Sequence, residues 1–438
     1  MKYFILPFLL FSLTSTLFAT TIDSGLLVKL KANTKMPESS FAIKRTKNLF
    51  DRVFYILPEH KADLKFLREE LIRTDKFEYV DYNYRAPKRK MFEKGAMDLN
   101  LLMPFMVSPF NDPKASQVWS FNDAAQNGIS INQSYTNRSR DRMPKQEILV
   151  AVVDTGIDVN HEDLKEVIWT NKKEIADNGI DDDNNGYIDD IHGINTIDRD
   201  QEGRPTNVLT DTAGHGTHVS GTIGAKQNNR IGIAGIASNV KIMAVRTVPD
   251  SGDETDVNVV EAFIYAAKNG AKIINCSFGK QVNEGGNAVL DAINFIGKQY
   301  GVLVVAAAGN ESSNIDTRLT YPASYETPYL LVVAATVSSG GLAYFSNYGK
   351  KNVDLAAPGS NILSTVPGNR YASYSGTSMA CPTTVGVAAE VLSVEPNLGP
   401  LELKSRLMGT VTPVQRFISQ MQSGGRVDLY KALNASLF

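Results

Sequence analysis

At 438 residues the chain exceeds one minimal domain, and 43% hydrophobic and 21% charged residues give it the make-up of a soluble globular protein with a sizeable core. Its 45 Lys and Arg against 47 Asp and Glu leave a formal charge of -2, so no net basic field points to nucleic acid or to an anionic membrane surface. Only two cysteines occur, Cys276 and Cys381, both in apolar segments, which excludes a disulfide framework and makes buried free thiols the expectation.

The first residues, MKYFILPFLLFSLTSTLFATTID, carry Lys2, an apolar run through Leu13 and then small and hydroxyl residues around Ala19 to Thr21. This pattern reads as a secretory signal peptide over 1–20, predicting an extracellular or periplasmic protein. The apolar run is shorter than the roughly 20 residues a spanning helix needs, and no later segment is long and apolar enough, so no stable membrane insertion is expected. No cysteine lies near the cleavage region to carry a lipoprotein anchor.

Residues 21–87 form the next unit. GLLVKL and RVFYIL read as strands, ADLKFLREEL as an amphipathic helix and FEYVDYNY as a closing strand, together a small α+β domain. Residues 88–109 follow with no helical or strand period, Lys88, Arg89 and Lys90 clustered at their start, and read as a linker. The domain from 110 to 438 changes pattern near Gln146. Apolar runs EILVAVVDTG, KIMAVRTV, KIINCSFG, GVLVVAAAGN and YLLVVAATV suit strands buried on both faces, and Val257, Val260, Phe263, Ile264 and Ala267 recur at helical spacing between them. The predicted fold class is α/β, three layers with a mostly parallel central sheet flanked by helices, preceded by the small α+β domain.

In such a sheet functional residues gather where strands end and helices begin. Ser378 lies in YSGTSMACP, where small residues precede an apolar helix, so its hydroxyl stands beside free backbone N–H groups able to stabilise an oxyanion. A serine there is also an ordinary helix cap. His215 opens another helix in DTAGHGTHVSGTIGA, three residues before His218. The two could share a metal, but further zinc ligands are missing from the neighbourhood, which leaves His215 as a general base and His218 in a structural role. Asp154 ends the strand ILVAVV, where an aspartate is either a turn former or the carboxylate that orients a histidine.

The order Asp, His, Ser separates one class of serine peptidase from others. VAVVDTGID, GHGTHVSGTIG, VVAAAGN and YSGTSMACP resemble the subtilisin-like serine peptidases, the subtilases, over a stretch from about Asn111 to GRVDLYKAL. The resemblance implies a triad of Asp154, His215 and Ser378, with Asn310 as side-chain oxyanion donor and the Ser378 backbone N–H as the second. It implies a substrate-binding strand at Ser277, Phe278 and Gly279, with Ala308 and Gly309 walling the primary specificity pocket. Phe278 and Asn310 also have plainer readings, as a core residue and a turn residue. Thr383 departs from a frequent family pattern that places histidine after the Cys-Pro pair, a position outside the triad.

Two loops look able to hold calcium in a structural role. In NGIDDDNNGYIDDIHG, Asp181, Asp183 and Asn185 precede Gly186 at alternate positions, as in the first half of an EF-hand, with Tyr187 next in the pattern. The twelfth-position Glu is missing, and Asp189 or Asp190 could replace it. KQNNRIGIAG resembles a calcium loop of many subtilisins, one residue longer than the common form, and implies Asn229, backbone carbonyls and Asp163 as ligands.

The 21–87 domain resembles the subtilase propeptide, which assists folding and blocks the cleft. The expectation is therefore a secreted serine endopeptidase made as an inhibited zymogen and acting as a monomer on protein or peptide substrates. Its own propeptide would be its intramolecular inhibitor, and its mature N-terminus would lie within 86–110. Two alternatives are a secreted protein that kept the fold but lost turnover, and a calcium-dependent adhesion protein, which would want extra repeats.

Overall fold

The computed structural model describes residues 21–85, 93–94, 108–250, 254–281 and 286–435. The expected signal peptide and most of the expected linker lie outside them. Alternation builds the N-terminal unit: β1 (Thr21–Leu30) sends Leu26, Val28 and Leu30 to one face and Leu27 to the other. With β2 (Ile43–Phe50), β3 (Val53–Pro58) and β4 (Phe77–Arg85) it forms an antiparallel sheet of order β2-β3-β1-β4. The helix α1 (Leu64–Arg73) places Leu64, Leu67 and Leu71 on the first face.

The sequence reading has no counterpart to β2. That strand carries Lys44, Arg45, Thr46, Lys47 and Asn48 before its buried Leu49 and Phe50, so no apolar period marks it. Its inward residues are polar because they reach a polar partner. The Arg45 guanidinium donates to the carbonyls of Glu202 and Gly203 at 2.7 and 2.9 Å, and Lys47 is ion-paired with Glu261.

A two-residue strand β5 (Glu93–Lys94) and a short helix α2 (Ile131–Thr136) lead into the large unit. Its elements are β6 (Ile148–Asp154), β7 (Gly193–Arg199), β8 (Pro205–Thr206), α3 (His215–Gly224), β9 (Val240–Arg246), α4 (Asp256–Lys268), β10 (Ile273–Cys276), α5 (Ala288–Tyr300), β11 (Leu303–Ala307) and β12 (Leu330–Thr336). There follow β13 (Leu355–Pro358), β14 (Ile362–Val366), β15 (Arg370–Ser375), α6 (Thr377–Val394), α7 (Pro400–Gly409), β16 (Thr412–Pro413), β17 (Gly425–Arg426) and α8 (Leu429–Asn434). The sheet runs β16-β17-β13-β12-β11-β10-β6-β9-β7-β8, antiparallel only at its two edge pairs. β11 and β12 are buried at every residue, as strands covered on both faces must be. All of α6 is buried too, apolar around its circumference and packed across the sheet.

The N-terminal sheet lays its second face on α4 and α5. Leu27, Leu49, Phe50 and Val53 share one apolar cluster with those helices, and the rings of Phe50 and Phe295 lie 5.1 Å apart.

Candidate active site

Four chain segments converge at the carboxyl ends of the central strands. Asp154 is the last residue of β6 and His215 the first of α3, and a 2.6 Å contact joins His215 Nδ1 to Asp154 Oδ1 with both side chains fully buried. A carboxylate can only accept there, so Nδ1 carries the proton and Nε2 is left as the basic nitrogen. The approach depends on Gly216, where a Cβ would lie 2.1 Å from the Gly156 carbonyl oxygen and 3.1 Å from Asp154 Cβ. His218, on the same helix, does other work. Its Nε2 meets the carbonyls of Ile362 and Ala372 at 2.9 and 3.1 Å, its ring stacks on Tyr374, and burial pushes its pKa down to about 3.

Ser378 is the second residue of α6 and is 3% exposed. Pro382 lies four residues on inside the helix and has no N–H to give the Ser378 carbonyl. Ser277, just past β10, fills that gap: its Oγ donates to Ser378 O at 3.0 Å, while Ser378 Oγ donates to Ser277 O at 2.8 Å. The reciprocal pair ties the nucleophile candidate to the expected substrate strand. Phe278 in that strand is buried in the core, so what it can offer a ligand is backbone, while Gly279 leads into Lys280, which pairs with Tyr321.

Asn310 follows β11. Its Oδ1 accepts from Thr377 N at 2.8 Å and Thr377 Oγ1 at 2.9 Å, which turns the amide so that Nδ2 is the end able to donate toward Ser378. Asn347, fully buried, holds the same loop. Its Nδ2 donates to Ala308 O at 2.9 Å and Glu311 Oε2 at 2.6 Å, and its Oδ1 accepts from Glu311 N and Ser313 N at 3.1 and 2.9 Å. Gly309 has φ +104°, and a Cβ on it would stand 2.4 Å from Asn347 Nδ2, so the turn between Ala308 and Asn310 requires glycine. Thr377 and Asn347 are absent from the sequence reading. Thr377 had a signal, its place beside Ser378 at the start of a helix; Asn347 had none.

The two predicted cation loops differ. Asp183 and Asp190 come together with Glu174, their carboxylate oxygens within 4.8 Å of one another. Asn171 Nδ2 donates to both aspartates at 3.1 and 3.0 Å, and Asn185 Nδ2 donates to Asp190 at 3.0 Å. Burial pushes the carboxyls of Glu174 and Asp190 upward, and amides, a tyrosine and backbone N–H groups donate to the three, so a divalent cation fits the charge of this cluster. Asp181 accepts from the backbone of Asn185 and Gly186 at 3.0 and 2.9 Å, sharing the Asn185 N–H with Asp183, and Asp189 takes the N–H groups of Asn178 and Gly179. Tyr187 turns its hydroxyl to Glu261 at 3.4 Å. Glu174 and Asn171 precede the acidic loop and were invisible in its spacing.

In the second loop Asp163 and Asn229 do meet, with Asn229 Nδ2 donating to Asp163 Oδ1 at 2.8 Å. Asp163 Oδ2 accepts from Ile233 N at 2.9 Å and Tyr371 Oη at 3.3 Å, and burial pushes its carboxyl up to about 6. The neighbouring Asp112 accepts from the backbone of Asn228 and Asn229 at 2.8 and 3.0 Å. Protein donors serve both oxygens of each aspartate, as they do in the first cluster, and two carboxylates lie here where three meet there.

The N-terminal unit and the segment after it each pair with the large unit. Arg85, ending β4, bridges antiparallel to Thr255, and Glu93 of β5 pairs with Ser375, three residues before Ser378. Cys276 and Cys381 are free and buried, with burial raising both thiols, Cys381 to about 12.

The sequence model of the Subtilase family matches residues 145–425. Over 320 residues the chain is 35% identical to a thermophilic serine proteinase of a Bacillus sp. (strain AK1), covering 72% of this chain and 69% of that protein. Among solved structures, proteases from Pseudoalteromonas arctica align with a TM-score of 0.58 at 30% identity, over 74% of this chain and 99% of that one. Fervidolysin from Fervidobacterium pennivorans, a keratinolytic enzyme related to subtilisin, aligns with a TM-score of 0.70 at 24% identity, over 95% of this chain and 62% of that one, a likeness of fold.

Proposed function

Since the chain belongs to the subtilase family and is a serine peptidase, a hydrolase of peptide bonds, we propose that it is a secreted endopeptidase working through Asp154, His215 and Ser378 and made as an inhibited zymogen. The observation that carries this reading is the buried 2.6 Å Asp154–His215 pair at the end of β6, with Ser378 at the start of α6. Ser378 Oγ attacks the scissile carbonyl while His215 Nε2 takes its proton and returns it to the amine that leaves as the C–N bond breaks. Asp154 steadies the imidazolium, Asn310 Nδ2 and Ser378 N hold the oxyanion, and water then hydrolyses the acyl-enzyme. Export is supported by the N-terminal pattern, and no helix among the described residues is long and apolar enough to cross a membrane. Casein cleavage and labelling of Ser378 by a fluorophosphonate test the reading; cleavage that survives both the reagent and Ser378→Ala sinks it.

The zymogen proposal rests on the two anchors. Residues 86–92 join Arg85, bridged to Thr255, to Glu93, paired with Ser375 near Ser378, so the maturation bond is expected in or next to that interval. N-terminal sequencing of secreted wild-type protein should give a start within 86–110, and Ser378→Ala should retain the N-terminal unit. A mature wild-type chain beginning near residue 22 refutes this.

For calcium, Glu174, Asp183 and Asp190, with Asn171 and Asn185 behind them, would hold the ion, and its role there is structural. An ion bound only by the folded state adds RT ln(1 + [L]/Kd). Chelation is expected to lower the melting temperature by roughly 5–10 °C, and Glu174→Gln should erase most of that difference. A chelator-insensitive wild type overturns the assignment.

A further inference from the structure

Asp211 stands four residues before His215 and has no part in the chemistry above. Its carboxylate is 3% exposed and accepts four hydrogen bonds, all from neutral donors. Oδ1 takes Thr155 Oγ1 and Gly214 N, each at 2.8 Å; Oδ2 takes Thr217 N at 2.9 Å and Thr217 Oγ1 at 2.6 Å. Thr155 extends the connection in two directions. Its Oγ1 accepts from Gly216 N at 3.0 Å and its N donates to Asp154 Oδ1 at 2.8 Å. One buried carboxylate therefore grips the residue that follows Asp154 and, directly or through Thr155, backbone N–H groups on both sides of His215.

Resting on the triad reading, we propose that Asp211 is a positioning residue for the Asp154–His215 pair: it fixes the carboxylate and the imidazole relative to each other, and its buried charge favours the imidazolium of the transition state. A carboxylate that accepts four hydrogen bonds is held in its charged form by them, against the upward push of burial. In a site with little water its field reaches the ring above it with less screening than at a surface. Capping the first turn of α3 is the competing role, and that role concerns helix stability alone.

Other ionisable groups face this pair and stay unaltered in the test. They are His218 on the same helix, Tyr374 and Arg370 on β15, and the cysteines Cys276 beyond β6 and Cys381 on α6. Arg246 on β9 donates to Thr210 O at 3.0 Å, and Asp250 accepts from Arg246 and from Thr212 Oγ1. β14 brings no ionisable side chain to α3.

The test follows the pH dependence of kcat/KM and of fluorophosphonate labelling at Ser378 in wild type, Asp211→Asn and Thr155→Val, with melting temperatures alongside. Asp211→Asn should lower kcat about 10- to 100-fold with KM within about twofold, since misplacement rather than lost substrate binding is the defect. Removing a negative charge beside the base lets it lose its proton at lower pH, so the acid limb should move down by roughly half a pH unit. Thr155→Val keeps the charge and removes both hydrogen bonds of Oγ1, to Asp211 and from Gly216 N, so kcat should fall severalfold with the limb in place. Unchanged kcat and limb in Asp211→Asn, with only a lower melting temperature, assign Asp211 to capping and overturn the proposal. Should Asp211→Asn not fold, an unchanged kcat in Thr155→Val overturns it instead. Wild type that is not labelled at Ser378 sinks the triad reading itself, a separate result.

Discussion

Ser378→Ala and His215→Ala should each lower kcat on a peptide substrate by about a million-fold, and the double variant should lose no more than either single one. The magnitude was measured in a subtilisin and is carried over to this member of the family. Its non-additivity follows from the geometry. In the proposed mechanism the serine hydroxyl is a weak nucleophile without a base to take its proton, and every proton His215 moves serves an acyl transfer to or from Ser378, so removing either disables the same pathway. Asp154 and His215 are fully buried in a preset 2.6 Å contact, so the base is oriented before substrate arrives. Stopped assays with active-site titration check this; losses that multiply in the double variant would show two independent pathways and end the triad reading.

Asn310→Ala comes next, with kcat expected to fall about 10²- to 10³-fold, about 2.7–4 kcal/mol of barrier, again a family magnitude. KM should change little, because the amide meets charge that exists only in the transition state. Thr377 is the reason the loss is specific. With Oδ1 engaged by Thr377 N and Oγ1, the amide cannot flip without breaking two hydrogen bonds. Thr377→Val should therefore reproduce part of the defect although it removes no oxyanion donor. A peptide boronate, which mimics the tetrahedral adduct, should bind Asn310→Ala more weakly by a factor close to the loss in kcat, whereas a cleaved product peptide should bind both forms alike. Equal weakening of both ligands would place Asn310 in ground-state binding.

Of the proposed site, Asp154, His215 and Ser378 could be singled out because each sits at a junction of strand or helix with turn, whereas Asn310 came from the family resemblance. Five strands of the parallel sheet, β6, β9, β10, β11 and β12, announced themselves as apolar runs bounded by glycine and polar residues, while β7, β13 and β17, short or polar, did not. What stayed hidden is non-local. Asn347 reaches Ala308, Glu311 and Ser313 across the sheet's end, and Glu174 meets Asp183 and Asp190 from outside the acidic loop. No period or spacing links such residues. The loop's alternating pattern predicted Asp181 beside Asp183, and the two do share the Asn185 N–H, with Asp181 also taking Gly186 N. β2 escaped for a different reason: its partner is a charged seam rather than a core, so the usual apolar signature is missing.

That seam and the apolar face beside it also bear on the order in which the chain acquires structure. The N-terminal sheet closes all its pairings within residues 21–85, whereas β6 can be completed only by strands far along the chain, with Val152 opposite Ala244 on one side and Asn275 on the other. Sheets assembled from such distant segments are slow to form, because loop-closure entropy is lost before the pairings repay it. A unit of low contact order that presents Leu27, Leu49, Phe50 and Val53 gives α4 and α5 a surface to settle on while the strands they flank are still searching for register. Under the proposed zymogen reading its contribution would lie in the height of the folding barrier, which a contact made once and later cut away can lower as well as a permanent one.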